Sequence, residues 1–233
     1  MSERFYVSFP LAIGDIQLDG SEAHHLATVS RVRAGDRVIL FNGDGREYGA
    51  AVQSIAKKQV ALSIESIATP ARERPFRLQM AAPLPKGDRG QFLIEKLTEL
   101  GVAVYTPLQT QRSVLHPSDA KMEKLERYVI EASKQCGRNT LMAVEPPAKW
   151  SNYLAQTDPT ASKWMAHPGG LSVKEFREAS AERNVVTAIG PEGGWTNDEV
   201  EQAREAGWQI VDLGPRILRV ETAAIALASI AGP

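Results

Sequence analysis

The 233-residue sequence is 43% hydrophobic with a formal net charge of -1, so it can bury one large core or two small ones and shows no overall bias toward a polyanion. Its single cysteine, Cys136, excludes an intrachain disulfide framework and a cysteine-based zinc site, and its four histidines lack metal-ligand spacing. With no secretory leader and no apolar run of membrane-spanning length, the expectation is a soluble cytoplasmic protein that needs neither membrane nor metal.

Residues 1–70 read as mostly β, with strands at Arg4–Ser8, Arg37–Phe41, Glu47–Ile55 and Gln59–Ile67 and a short helix over Ser21–Val32. Asn42-Gly43-Asp44-Gly45 is a hairpin signal, because Asn and Gly tolerate positive φ. Short strands joined by tight turns suggest a small barrel. Arg31, Arg33 and Arg37 near its first turn could contact phosphates or simply be solvated. Residues 71–75, flanked by Pro70 and ending in Pro75, read as a linker.

From residue 76 the rhythm changes. Phe76–Ala82 is a strand, Pro83–Arg89 a loop carrying Lys86, and Asp88 is placed to cap a helix to Leu100 with Phe92, Leu93, Leu97 and Leu100 on its apolar side. The strand Val102–Leu108 leads into a polar loop, Gln109–Ser113. A long helix from Ser118 or Asp119 to about Gln135 follows, with Met122, Leu125, Val129, Ala132 and Cys136 in its stripe. Then come a strand at Leu141–Val144, a short helix at Lys149–Gln156, and a strand Ser162–Ala166 ending in His167–Gly170. Ser172 with Glu175 is a capping box for a helix to about Ala181. Val185–Ile189 is a buried-type strand, broken by Gly190-Pro191-Glu192-Gly193-Gly194. Thr196 with Glu199 caps a helix that Gly207 ends. The strand Ile210–Leu213, a Gly214-Pro215 loop and the small, apolar helix Thr222–Ile230 complete the pattern. Strands alternating with helices over 76–233 mean a mainly parallel α/β sheet covered on both faces.

The glycine run lacks both the GxGxxG spacing of a dinucleotide fold and the Gly-Lys-Ser/Thr of a P-loop. Two glycine-containing loops after successive strands still favour a ligand at one sheet edge. Arg216, Arg219 and Glu221 stand in an otherwise apolar segment, either as a brace or as a polar cluster facing that ligand. Arg112 and Arg138 could hold phosphate if their loops meet, although an arginine at a helix C-terminus also answers the helix dipole. Cys136 fits a packing role.

The pair IGPEGGW and LGPRILRVETA resembles the SPOUT methyltransferases, and most closely the bacterial family that methylates nitrogen 3 of a uridine in 16S ribosomal RNA; HHLATVSRVRAGD, EKLTELGV, QRSV and EASKQCGR match that family in order. The resemblance implies an α/β knot of the deep trefoil type, an N-terminal PUA-like barrel that helps hold RNA, and a homodimer. It implies S-adenosyl-L-methionine held by Ile189, Gly190, Pro191, Glu192, Gly193 and Gly194, by Leu213, Gly214, Arg216, Ile217 and Leu218, and by Ala166 and Thr222. The partner would be 16S ribosomal RNA of the small ribosomal subunit, with Arg31, Arg33, Lys86, Arg112, Ser113 and Arg138 as RNA contacts. Arg112, Arg138 and Arg219 are candidates to meet phosphate or uracil oxygens, and Glu192 and Glu221 to act as base, or each only to brace a loop. A non-catalytic RNA-binding module on the same fold, or a methyltransferase acting on another RNA, are the rival readings. A doubly wound nucleotide enzyme is disfavoured by the missing GxGxxG.

Overall fold

The computed structural model describes residues 3–24, 26, 32–56, 59–113, 118–180 and 184–231, so Arg31 and much of the predicted first helix lie outside the described residues. The chain forms two units, Met1–Glu73 with Ser133–Leu141, and Arg74–Ala132 with Met142–Pro233.

The first unit contains β1 (Arg4–Tyr6), β2 (Gly14–Asp19), α1 (Gly20–His24), β3 (Arg37–Phe41), β4 (Glu47–Ala56) and β5 (Gln59–Ala68), in the sheet order β1-β3-β4-β5-β2. Only β1–β3 is parallel. Alternation drives the burial: Tyr48, Ala50 and Val52 of β4 and Val60, Leu62 and Ile64 of β5 all point into one core with Phe5, Leu18 and Leu40. At the β3–β4 hairpin the Asn42 Oδ1 accepts from the Asp44 N–H at 3.2 Å, and the Asp44 Oδ1 from the Arg46 N–H at 2.9 Å. The strand β2, unforeseen, directs only Ile16 and Leu18 inward.

Residues 133–141, expected in the second domain, belong to the first unit because polar contacts fix them there. Arg4 donates to Gly137 O and to Asn139 Oδ1, Arg72 donates to Gly137 O at 2.8 Å, and the Gly45 N–H donates to Asn139 O at 3.2 Å. Glu47 receives both Arg4 and Arg72. Burial alone would raise its carboxyl, but the two guanidinium hydrogen bonds outweigh that and hold it below its ordinary value.

In the second unit the strands are β6 (Leu78–Ala82), β7 (Val104–Gln109), β8 (Ala143–Val144), β9 (Ala148–Lys149), β10 (Ser162–Leu171), β11 (Val185–Ile189) and β12 (Gln209–Val211). They run β12-β10-β11-β6-β7-β8, every pairing parallel, with β9 beside the end of β7. The helices are α2 (Asp88–Glu99), α3 (Asp119–Cys136, whose residues from Ser133 on belong to the first unit), α4 (Trp150–Gln156), α5 (Val173–Ser180), α6 (Asn197–Glu205) and α7 (Val220–Ile230). Central β11 is buried along its whole length, as a parallel strand covered on both faces must be.

Three expectations are corrected. Helix α2 begins at Asp88 behind Gly87, whose φ of 62° only glycine adopts freely, so Asp88 lies in the first turn and caps nothing. Phe92 is 46% exposed beneath the Lys96 ammonium, while Gly90, Leu93, Ile94 and Leu97 form the buried face. The strand β10 continues through His167–Gly170 to Leu171, with a register shift against β12 between Ala166 and Leu171. Among the described residues no helix is long and apolar enough to cross a membrane, and no cluster of His, Cys, Asp or Glu could hold a metal ion.

Candidate functional site

Parallel strands align their carboxyl ends, and at the ends of β11 and β12, beside the middle of β10, the chain opens a cleft of about 510 Å³. Every cofactor residue expected from sequence lines it except Thr222, which is exposed; its neighbour Ala223 lines the cleft instead.

Trp195 builds this cleft. Its indole packs on Trp150 at 4.8 Å between centroids, and Trp150 in turn meets Trp208 at 5.4 Å, so an aromatic cluster fixes the ring. The Trp195 Nε1–H donates to Ala166 O at 3.1 Å, tying the middle of β10 to the loop after β11. Gly190 lies against the same ring: a Cβ there would stand 2.8 Å from Nε1. The capping box holds the next step, with Thr196 Oγ1 accepting from the Glu199 N–H and Glu199 Oε2 accepting from the Thr196 N–H. Glu199 Oε1 also accepts from the Gln111 N–H at 2.8 Å, which joins the β7 loop to the base of α6.

On the opposite wall Asp212 accepts from the Gly169 N–H at 2.9 Å and the Gly214 N–H at 2.8 Å. These two amides, and behind them the charge of His167, hold its carboxyl below the ordinary value, so it stays ionised at the cleft. Gly214 adopts a φ of 106°, and nothing lies within 4 Å of where its Cβ would be, which leaves its backbone open to a ligand. Ile217 is fully exposed in the same lining.

Arg112 lies over the glycine loop: its Nη1 donates to Gly193 O at 2.7 Å and more weakly to Trp195 O at 3.4 Å. Arg89 stands between two carboxylates, 3.7 Å from Glu192 Oε1 and 3.8 Å from Glu221 Oε1. Glu192 lines the cleft and its side chain is 54% exposed. Glu221 does not line it; it is buried, and its Oε2 meets no hydrogen-bond donor among the described residues. Arg219 is the exposed N-cap residue of α7 and makes no side-chain cap.

Arg138, weighed as a phosphate contact or a partner of its helix end, is buried and paired. It is 4% exposed and forks onto Glu73 through Nε at 3.0 Å and Nη2 at 2.7 Å. Ser113 closes its own loop, its Oγ within 2.9 Å of both the Thr110 N–H and the Thr110 hydroxyl. Arg33 sits in its turn, its N–H on Asp36 Oδ2, and Lys86 is exposed before α2. Arg89, Trp195 and Asp212 were missed from sequence. Trp195 directly follows the glycine run and could have been weighed, whereas Arg89 gains meaning only from partners more than 100 residues away.

The cleft is of nucleoside-ligand size, with glycines for close backbone approach, an apolar face and two carboxylates. Residues 72–232 match the RNA methyltransferase domain family and residues 18–65 the RNA methyltransferase PUA domain family. The chain is similar to ribosomal RNA small subunit methyltransferase E of Bacillus subtilis, 33% identical over 217 residues that cover 88% of this chain and 85% of the relative. The Synechocystis protein of the same name is 32% identical over 92% of this chain and 72% of its own length. Two solved structures superpose closely. One is a methyltransferase of Legionella pneumophila in complex with the bound cofactor SAM (TM-score 0.91, 31% identity, 99% of this chain and 96% of that one). The other is the small subunit methyltransferase E of Neisseria gonorrhoeae bound to S-adenosyl methionine (TM-score 0.90, 32% identity, 99% and 95%).

Proposed function

This chain belongs to the ribosomal RNA small subunit methyltransferase E family, and from that membership we propose that it methylates nitrogen 3 of a uridine in 16S ribosomal RNA with S-adenosyl-L-methionine as donor. The carrying observation is the cleft, which gathers both glycine loops and the middle of β10 into one wall set. Its donor set suits the cofactor: an apolar face for a nucleoside, exposed backbone at Gly214, and the carboxylates of Glu192 and Asp212 for cationic groups.

When bound, the cofactor supplies a methyl group already activated on a sulfonium, so the protein's task is alignment and desolvation. Trp195 walls the cleft and excludes water behind Gly190. Asp212 holds the β10 and β12 loops at fixed separation through two amides. Arg112, exposed above Gly193, takes the phosphate or the uracil oxygen on which negative charge develops. The nitrogen 3 proton goes to Glu192, the carboxylate that lines the cleft, while buried Glu221 faces Arg89. Nitrogen 3 is on the Watson–Crick edge, so the target base must be unpaired or flipped out. The trefoil crossing of the two loops and a homodimer belong to the same proposal.

The test is incubation of the purified protein with the donor and small ribosomal subunits from cells lacking it, followed by mass mapping of nucleosides. A single new N3-methyluridine in 16S RNA is expected. Tight RNA binding with no methyl transfer would establish the non-catalytic module instead.

A further inference from the structure

A second cleft, of about 470 Å³, opens at the carboxyl end of β7, where β9 runs beside it with Gln109 opposite Lys149. It lies on the same edge of the parallel sheet as the first cleft, the edge at which such sheets take ligands. Its floor is rigid. Trp150 and Glu199 are buried there, the Trp150 Nε1–H donates to Glu199 O, and Glu199 Oε1 receives the Gln111 N–H. Its rim is the reverse. Gln109, Gln111, Lys149, Ser151, Asp198 and Gln202 all line it, and none of these six side chains has a hydrogen-bond or ion-pair partner among the described residues. Polar groups that ring a concave, fixed floor without pairing to each other are the arrangement of a recognition site for a polar ligand. The two clefts are neighbours: Gln111 precedes Arg112, which rests on Gly193 and Trp195 of the first, and Thr196 after Trp195 lines the second.

We propose that this second cleft binds a nucleotide of the substrate RNA adjoining the methylated uridine; this rests on the reading of the chain as an RNA methyltransferase. Three primary amides offer both donors and acceptors to a base edge, and Lys149 answers its phosphate. Asp198 only accepts, so it meets a donor of the nucleotide: an exocyclic amino group, a ring imino N–H or the ribose 2′-OH. A cavity of this volume is in the range that holds one nucleotide.

The test compares wild-type enzyme with the double variant Lys149→Ala/Gln202→Ala, using small ribosomal subunits that lack the modification. All the altered side chains are exposed, and melting temperatures verify the fold. The KM for subunits should rise at least about tenfold, with kcat and S-adenosylmethionine affinity within about twofold of wild type. Lys149→Ala alone should lower the salt dependence of RNA binding by about one counterion. Lys174→Ala on α5, an equal loss of exposed charge, should change neither. An unaltered KM in the double variant overturns the proposal, and so does a loss shared equally with cofactor affinity, which marks a structural role. If the wild-type protein itself neither binds the donor nor methylates, the functional reading fails and not merely the subsite.

Discussion

Replacing Gly190 by alanine tests the cleft at its tightest point. The backbone there lies outside the left-handed region, so alanine brings no torsional strain and the effect is steric. The new Cβ would stand 2.8 Å from Trp195 Nε1 and 3.0 Å from Cδ1 and Cε2, where ordinary contact begins at 3.4 Å. The ring cannot give way freely, because Trp150 packs behind it and Ala166 O holds its N–H. Overpacking of this kind costs about 1–3 kcal/mol, and losing the indole hydrogen bond adds about 1 kcal/mol. Taking roughly 2 kcal/mol as falling on the closed cleft, affinity for S-adenosylmethionine should drop about 30-fold. Titration calorimetry reads the affinity, and the emission of the tryptophan cluster reports whether Trp195 has moved. Wild-type affinity in Gly190→Ala, with unshifted emission, would refute the claim that this ring walls the cofactor site.

Arg112→Ala should lower kcat/KM for RNA by at least about tenfold while cofactor affinity stays within about threefold, if the guanidinium meets the substrate; equal losses in both, measured by steady-state kinetics and calorimetry, would show that it only braces Gly193. Glu73→Gln should cost about 2 kcal/mol in denaturant unfolding, because Arg138 is then left buried beside a neutral amide, with activity per folded molecule retained; a selective loss of RNA binding would contradict the bracing role. The Glu47 carboxyl is held below its ordinary 4.5, so its contribution to stability is complete above that pH and disappears as pH falls through the lowered value. Glu47→Gln should therefore melt lower than wild type at neutral pH and draw level with it in acid, and a gap that persists in acid would exclude this linkage.

What could be read from sequence was local. Thr196 and Glu199 are three residues apart, and their reciprocal hydrogen bonds follow from helix geometry alone. The hairpin at Asn42–Gly45 and the buried strand Val185–Ile189 were equally self-contained. The parallel order of the second sheet followed from strand–helix alternation. What failed was set by distant partners. Arg138 stood between a phosphate contact and a partner of its helix end, and the Glu73 it pairs with is 65 residues away in sequence. Phe92 fitted an apolar helix face, yet the stripe turned out to centre on Leu93 and Leu97. The turn-like His167-Pro168-Gly169-Gly170 became strand because Asp212 accepts the Gly169 N–H and donates its own N–H to Leu171 O. Among the site residues, those in the two loops were legible as a pattern, whereas Arg89 draws its surroundings from Glu192 and Glu221.

The closing helix bears on how the molecule is made. Arg74, the first residue of the second unit, donates through Nη1 to Ala231 O, through Nη2 to Ala228 O and through Nε to Leu100 O. Two of those acceptors are translated more than 150 residues after the arginine. A nascent chain thus carries the donor of this clasp long before its acceptors exist, and the clasp closes only once α7 has been made. The wall that α7 supplies to the cleft through Ala223 is likewise absent until that helix has been made.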